Sequence, residues 1–266
     1  MTSELNFDLP EQVRMIRDVV RRFAENELRP HERTVLEREA ERGFSDRPLL
    51  PPEIEGSLRE KARAIGLYGI DVPEEFGGQN LGALTKCVVI EQLKHSIVPF
   101  VAPPDSPNLH LLKLLCKGDQ IDRYLLPYAR GEKRACLALT EPGAGADAGG
   151  IQMPAVRRGG QWVLNGSKVF ISNARAADFM IVIAVTDPAK GSAGGMTAFL
   201  VDKGTPGLSI PSVFPMIGEY CPYEVVFDNV TLDDRQVLGE VGNAFAPLQR
   251  RLGVRRMEIA ARCLGL

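Results

Sequence analysis

The chain is poor in the residues from which metal centres, disulfide frameworks and membrane spans are made. Its 266 residues include only three histidines, His31, His95 and His110. They fall on separate helical segments without metal-ligand spacing, which excludes a histidine-built metal site. The five cysteines, Cys87, Cys116, Cys136, Cys221 and Cys263, are odd in number and never form a CxxC pair. Reduced thiols in the cytoplasm fit that pattern better than a disulfide scaffold or a zinc site. The strongest apolar run, FMIVIAV, is far too short to span a bilayer, and the start, MTSELNFDLPEQV, has no basic head before an apolar core. A soluble, unexported protein without a membrane span is therefore expected. Net charge is -2, with both signs interspersed, so there is no basic stripe for nucleic acid and no polybasic patch for anionic lipid. GEVGNAF lacks the Lys-Ser/Thr that would make it a phosphate loop, and no Ser/His/Asp or Cys/His set assembles.

What is present divides the chain by period. Asp8 and Glu11 form a capping-box pattern, after which Val13, Ile16, Val20, Phe23, Ala24 and Leu28 recur at helical spacing until Pro30 interrupts them. Ser57 with Glu60 opens a second predicted helix running to Gly66, and ALTKCVVIEQLKHS reads as a third. Asp105-Ser106-Pro107 precedes NLHLLKLLCKG, and Asp119 caps QIDRYLLPYAR, which Gly131 stops. EREAERGFSDRP reads as a solvated charge run with a loop after it.

From about Arg134 the pattern turns to strands. ACLALTE, QWVLNGSKVFIS, FMIVIAV, MTAFLVD and YEVVFDNVTL are short and β-rich, and Asn165-Gly166 carries a hairpin signal. An antiparallel sandwich or barrel is expected rather than a parallel sheet with crossover helices. Helical period resumes in AFAPLQRRLGVRRMEIAARCLGL, where Leu248, Leu252, Met257, Ile259 and Leu264 can share a broad face. The expected fold class is α+β. A helical bundle (1–133) precedes a β-barrel or sandwich domain (134–245), and the first helix (246–266) of a truncated third, helical domain follows.

Between the two regimes lies LALTEPGAGADAGG, residues 137–150. Few side chains stand in the way there, so a flat or phosphate-bearing ligand can lie against the backbone. A Gly/Pro-rich connecting loop is the alternative reading.

Five motifs follow in register: GLYGIDVPEEFGG (66–78), LTEPGAGAD (139–147), LNGSKVFISN (164–173), FDNVTLDDRQVLGE (227–240) and RLGVRRMEIAARCLG (251–265). In that order they resemble the acyl-CoA dehydrogenase family over its first two domains and the start of its third. The resemblance implies FAD as cofactor and an acyl-CoA thioester as substrate. A carboxylate takes the α-proton while a hydride leaves the β-carbon for the flavin. It further implies an electron-transfer flavoprotein or similar acceptor, and a homo- or hetero-oligomer.

By motif match, Leu137, Leu139 and Thr140 face the isoalloxazine, with Gly145 and Ala146 on the glycine-rich loop. Phe170 stands where the family has a stacking tryptophan, followed by Ile171, and Ser172 replaces a threonine at the flavin's reducible edge. Ala146 also falls where a serine reaches the thioester's pantetheine arm, and Arg256 matches the family's shared arginine on the substrate side. The alternative base position just before it is Arg255, a cation that cannot accept a proton. The usual base is expected beyond Leu266. Glu258 reads as an i,i+3 surface charge partner of Arg255. FPMIGEYCPYEVVFD matches a substrate-side loop but looks short, with Glu219 and Tyr220 where a basic and a small polar residue are commoner. Asp233 replaces a typical proline, a change that concerns a turn rather than chemistry. Two activities remain open: a flavin-dependent dehydrogenase incomplete in this chain, or an inactive acyl-CoA- or flavin-binding partner subunit.

Overall fold

A computed structural model describes residues 8–214, 216–218 and 221–266, so Glu219 and Tyr220 lie outside the described residues. Six helices come first: α1 (Glu11–Phe23), α2 (Glu32–Arg42), α3 (Pro52–Ala64), α4 (Gly82–Leu93), α5 (Ser106–Leu115) and α6 (Leu126–Ala129). The apolar stripe of α1 is buried as its period requires: Val20 and Phe23 join Leu58, Ala62, Val89 and Leu93 in one core.

Several helix boundaries differ from the sequence expectation. Pro10, not Asp8, occupies the N-cap of α1, and no side chain caps it. Pro52 starts α3 five residues before Ser57, because a proline fits a first turn whose N–H groups have no helical partner. Pro30 does not end the helical path: a π turn (Ala24–Leu28) and a 3-10 turn (Arg29–His31) absorb its ring, and α2 continues. Nor is the charge run on α2 wholly solvated. Arg42 is buried, and its Nη2 donates to the carbonyls of Met216 and Gly218 at 2.8 and 3.1 Å. At the start of α5 the Asp105 side chain makes no cap, and Gln120 rather than Asp119 precedes the π turn Ile121–Leu125.

Eight strands follow: β1 (Ala135–Ala138), β2 (Ala155–Arg158), β3 (Gln161–Ser172), β4 (Phe179–Val185), β5 (Met196–Asp202), β6 (Leu208–Ser209), β7 (Pro222–Leu232) and β8 (Val237–Leu238). They form two four-stranded sheets, ordered β1-β4-β5-β8 and β2-β3-β7-β6. The result is an open sandwich, not a barrel, and one pair, β1 with β4, is parallel. The first sheet is the middle layer. One face packs on the second sheet through Ala138, Met180, Val182 and Phe199, and the other on helices through Phe179, Ile181 and Ile183. Burial on both faces is why FMIVIAV runs apolar without alternation. Tyr124 and Tyr128 meet Phe179 edge-on, with ring centroids 4.9 and 6.2 Å away, and dock the helices there.

Asn165-Gly166 is not a hairpin turn. Both its flanks lie in the single strand β3, paired throughout with β7, and a register shift falls between Leu164 and Gly166. The two-residue hairpin is instead Gly159-Gly160, whose φ values of +57° and +84° suit the turn that matches strand twist. Asp233 caps the 3-10 turn Asp234–Gln236 in a capping box.

Helix α7 (Phe245–Gly265) closes the described chain. Leu248 is buried and Leu252 half-buried, but Met257, Ile259 and Leu264 are exposed. The side facing α4 and α5 instead carries charge: Arg251, Arg255 and Glu258. Asp105 and Asn108, at the start of α5, supply the partners that make that burial tolerable.

Candidate functional site

The glycine-rich stretch leaves β1 as a ledge pinned at both ends. Beyond Ala138, the Thr140 carbonyl accepts a bond from the Val169 amide of β3 at 2.9 Å, while Glu141 and Ala144 exchange two backbone bonds. Glu141 then spans the loop: its carboxylate accepts from the Gln152 amide at 2.7 Å and the Met153 amide at 2.9 Å. Asp147 accepts from the Gly149 amide at 2.9 Å and shapes the next turn. The underside is packed, because Leu139 and Ala144 share a core with Leu109, Leu112, Tyr128 and Leu248. The upper side is open at Gly143, Gly145 and Ala146, all exposed.

Next to it, β3 carries an extra residue between Lys168 and Ile171. Phe170 sits in that bulge with φ +57°, a conformation unfavourable for a bulky residue, and is 58% exposed. Its ring lies 4.9 Å from that of Phe214. Ile171 is buried, and Ser172 is exposed two residues beyond Phe170. An aromatic held outward at the expense of backbone strain, with a hydroxyl close by in sequence, is the kind of outlier found at ligand sites.

The structure thus puts Thr140, Gly145 and Ala146 on one loop, which is tied to the strand bearing Phe170, Ile171 and Ser172, while Leu137 lies within β1 and packs with Leu139 against the helix-side core. It does not bring Arg256 to them. Arg256 is exposed on α7, and among the described residues no hydrogen bond or ion pair joins it to the ledge.

Arg255, one residue earlier, is half-buried. Its Nη2 donates to both oxygens of Asp105 at 2.5 and 2.7 Å, and its Nη1 donates to Glu258 at 2.9 Å. The i,i+3 pair expected for Glu258 is present, but Glu258 is buried rather than on the surface. Burial, and next the negative charge of Asp105, push its carboxyl above the usual range, while Arg255, Lys86 and Arg262 oppose the shift.

Lys168 lies on β3, two residues before Phe170. It is fully buried and donates to Glu141 at 2.7 Å and to the Leu139 carbonyl at 3.0 Å. Burial lowers its pKa and the Glu141 carboxylate opposes that shift. The signal was available in the alternation Trp162, Leu164, Gly166, Lys168, which puts a lysine on an inward face where only a partnered cation is tolerated.

The histidines form no site: among the described residues no group of three or more His, Cys, Asp or Glu side chains could hold a metal. All five cysteines are free, and burial pushes the Cys136 thiol up to about 12. Among the described residues no helix is long and apolar enough to cross a membrane.

Helices packed on a two-sheet sandwich, with an exposed glycine-rich loop hydrogen-bonded to a strand that carries a strained, exposed aromatic, define an α+β protein. The model of the acyl-CoA dehydrogenase N-terminal domain matches residues 10–132, and that of the middle domain matches residues 136–230. The chain belongs to the acyl-CoA dehydrogenase family. It is 44% identical over 268 residues to (R)-benzylsuccinyl-CoA dehydrogenase of Thauera aromatica, covering 98% of this chain and 66% of that one. Among solved structures it is similar to butyryl-CoA dehydrogenase from Megasphaera elsdenii, with 28% identity and a TM-score of 0.79 over 98% of this chain and 67% of the other. It is also similar to PigA with FAD and proline, with 28% identity and a TM-score of 0.80 over 98% and 66%. The chain spans about two thirds of the length of these proteins.

Proposed function

We propose that this chain supplies the flavin- and thioester-binding face of an acyl-CoA dehydrogenase, which oxidises the α,β-bond of an acyl-CoA with FAD as hydride acceptor. One observation carries the reading: the bare ledge 139–146 is hydrogen-bonded directly to the bulged strand that turns Phe170 outward. These residues fit a flavin. The backbone is open to a planar ring, an aromatic face stands beside it, and the exposed Ser172 offers a hydroxyl donor at the position of the family's threonine. FAD bound there supplies the two-electron acceptor that no side chain provides.

The chain's own residues contribute position rather than proton transfer. Thr140 and Ser172 orient the ring edge, Phe170 covers one end, and the packed underside excludes water. Ala146 offers the pantetheine arm backbone but no hydroxyl. Arg255, at the family's alternative base position, cannot accept the α-proton, so that position supplies no base. An electron-transfer flavoprotein or similar protein is the proposed acceptor, and oligomerisation the proposed assembly.

Arg255 at the alternative base position, and Ala146 where the family has a serine, favour a second reading, an inactive partner subunit that binds flavin or thioester without turnover. Visible spectra of the chain with FAD, before and after acyl-CoA thioesters of several lengths, test both. Bound FAD bleached by this chain alone contradicts the partner reading. No bound FAD contradicts the dehydrogenase reading.

A further inference from the structure

Lys168 is fully buried, yet nothing in the chemistry above uses its charge. Its position follows from two bonds. Nζ donates to the Leu139 carbonyl at 3.0 Å and to Glu141 Oε1 at 2.7 Å. In a trans peptide the C=O and the next N–H point in opposite directions. A Leu139 carbonyl turned inward to a buried ammonium therefore turns the Thr140 N–H away from it, toward the open side of the ledge. The next peptide unit is fixed as well, because the Thr140 carbonyl accepts from the Val169 amide at 2.9 Å. Glu141, held by the same ammonium, closes the loop through the Gln152 and Met153 amides. One buried pair thus sets the direction of the Thr140 amide, the closure of loop 141–153 and the placing of the ledge against the Phe170 bulge.

We infer that Lys168 is a positioning residue for the flat ligand: it aims the Thr140 N–H at an acceptor on the ring edge and holds the ledge at a fixed distance from Phe170. The inference rests on the reading that the ledge binds FAD. A simple core ion pair predicts a loss of stability when broken, whereas a positioning role predicts lost affinity even after stability is restored.

The test compares wild type, K168R and the double variant K168M/E141Q, which removes both charges while the amide side chain at 141 can still accept from the Gln152 and Met153 amides and donate to the Leu139 carbonyl. Near-UV circular dichroism checks folding. Amide exchange at Gln152, Met153 and Val169 reads the ledge, and quenching of FAD fluorescence reads binding. In the folded double variant, exchange at these amides and the FAD dissociation constant are both expected to rise about tenfold or more, the equivalent of a lost charge-assisted hydrogen bond. K168R, which keeps donors and charge, is expected to stay nearer to wild type on both readouts. A folded double variant that binds FAD like wild type overturns the inference alone. Wild type that binds no FAD overturns the ledge reading and this inference together.

Discussion

Arg255 on α7 and Asp105 at the start of α5, 150 residues apart in the chain, form a two-pronged ion pair with N–O distances of 2.5 and 2.7 Å. The same guanidinium holds Glu258, so two carboxylates share one cation. Arg255→Ala leaves them facing each other in a largely buried seam. A loss of about 2–4 kcal/mol at pH 7 is expected in urea unfolding, shrinking toward pH 4 as Glu258, whose carboxyl is pushed up by burial, protonates. An equal loss at both pH values contradicts this arrangement.

Glu258 gives the seam a pH dependence of definite sign. Its folded-state pKa lies above the ordinary 4.5, because of burial first and Asp105 next, so the folded chain binds the proton more tightly than the unfolded one. Its contribution is fully present below the unfolded value and is lost as pH rises through the folded value. Glu258→Gln keeps a hydrogen-bonding side chain and removes the titration. Unfolding free energies measured across that window are expected to fall less steeply with pH in the variant than in wild type; parallel curves contradict the assignment.

Phe170 is held at φ +57° and is mostly exposed, which separates its backbone strain from its packing. Phe170→Gly relieves about 1–2 kcal/mol of left-handed strain and loses a ring contact with Phe214 of about 0.5–1.5 kcal/mol, so stability is expected to change by less than about 1 kcal/mol. Phe170→Val puts a β-branched side chain into the same φ and is expected to be clearly less stable. Thermal melts of the two variants check the order, and a valine variant at least as stable as the glycine variant contradicts it.

Arg42 ties the helical layer to the loop after β6. Besides its bonds to Met216 and Gly218, it donates to Cys221 Sγ at 3.4 Å, and the neighbouring Glu39 accepts from the Gly218 amide at 2.5 Å. Arg42→Ala is expected to release this segment, which presents the almost fully exposed Ile217. Limited proteolysis then cuts at Met216–Gly218 several-fold faster while cleavage elsewhere is unchanged; a uniform increase across the chain points to global destabilisation instead.

Much of the fold was legible because local pattern and burial agree. The stripe of α1, the apolar run of β4 and the bare stretch after β1 are each where their periods put them. The misreadings share one cause. Asn165-Gly166 and Gly159-Gly160 both carry turn chemistry, and only the long-range pairing of β3 with β7 decides that the first continues as strand. The face of α7 differs for the same reason: Asp105 and Asn108, remote in sequence, let Arg251 and Arg255 be half-buried and Glu258 buried while Met257, Ile259 and Leu264 face outward. Of the candidate site, Thr140, Phe170 and Ser172 were accessible through motif order. Lys168 lay in plain alternation, but its partner Glu141 is on another strand's exit, and the pair becomes visible only when the two chain segments meet.

Equilibrium titration of the purified chain with FAD, followed by fluorescence quenching and the visible absorption envelope, tests the ledge most directly. Saturable binding of one FAD per chain, weakened when Phe170 or the Lys168–Glu141 pair is replaced in folded protein, is the expected result. No saturable binding up to about 1 mM FAD, the weak end of specific recognition, by a chain whose circular dichroism shows it folded, contradicts it.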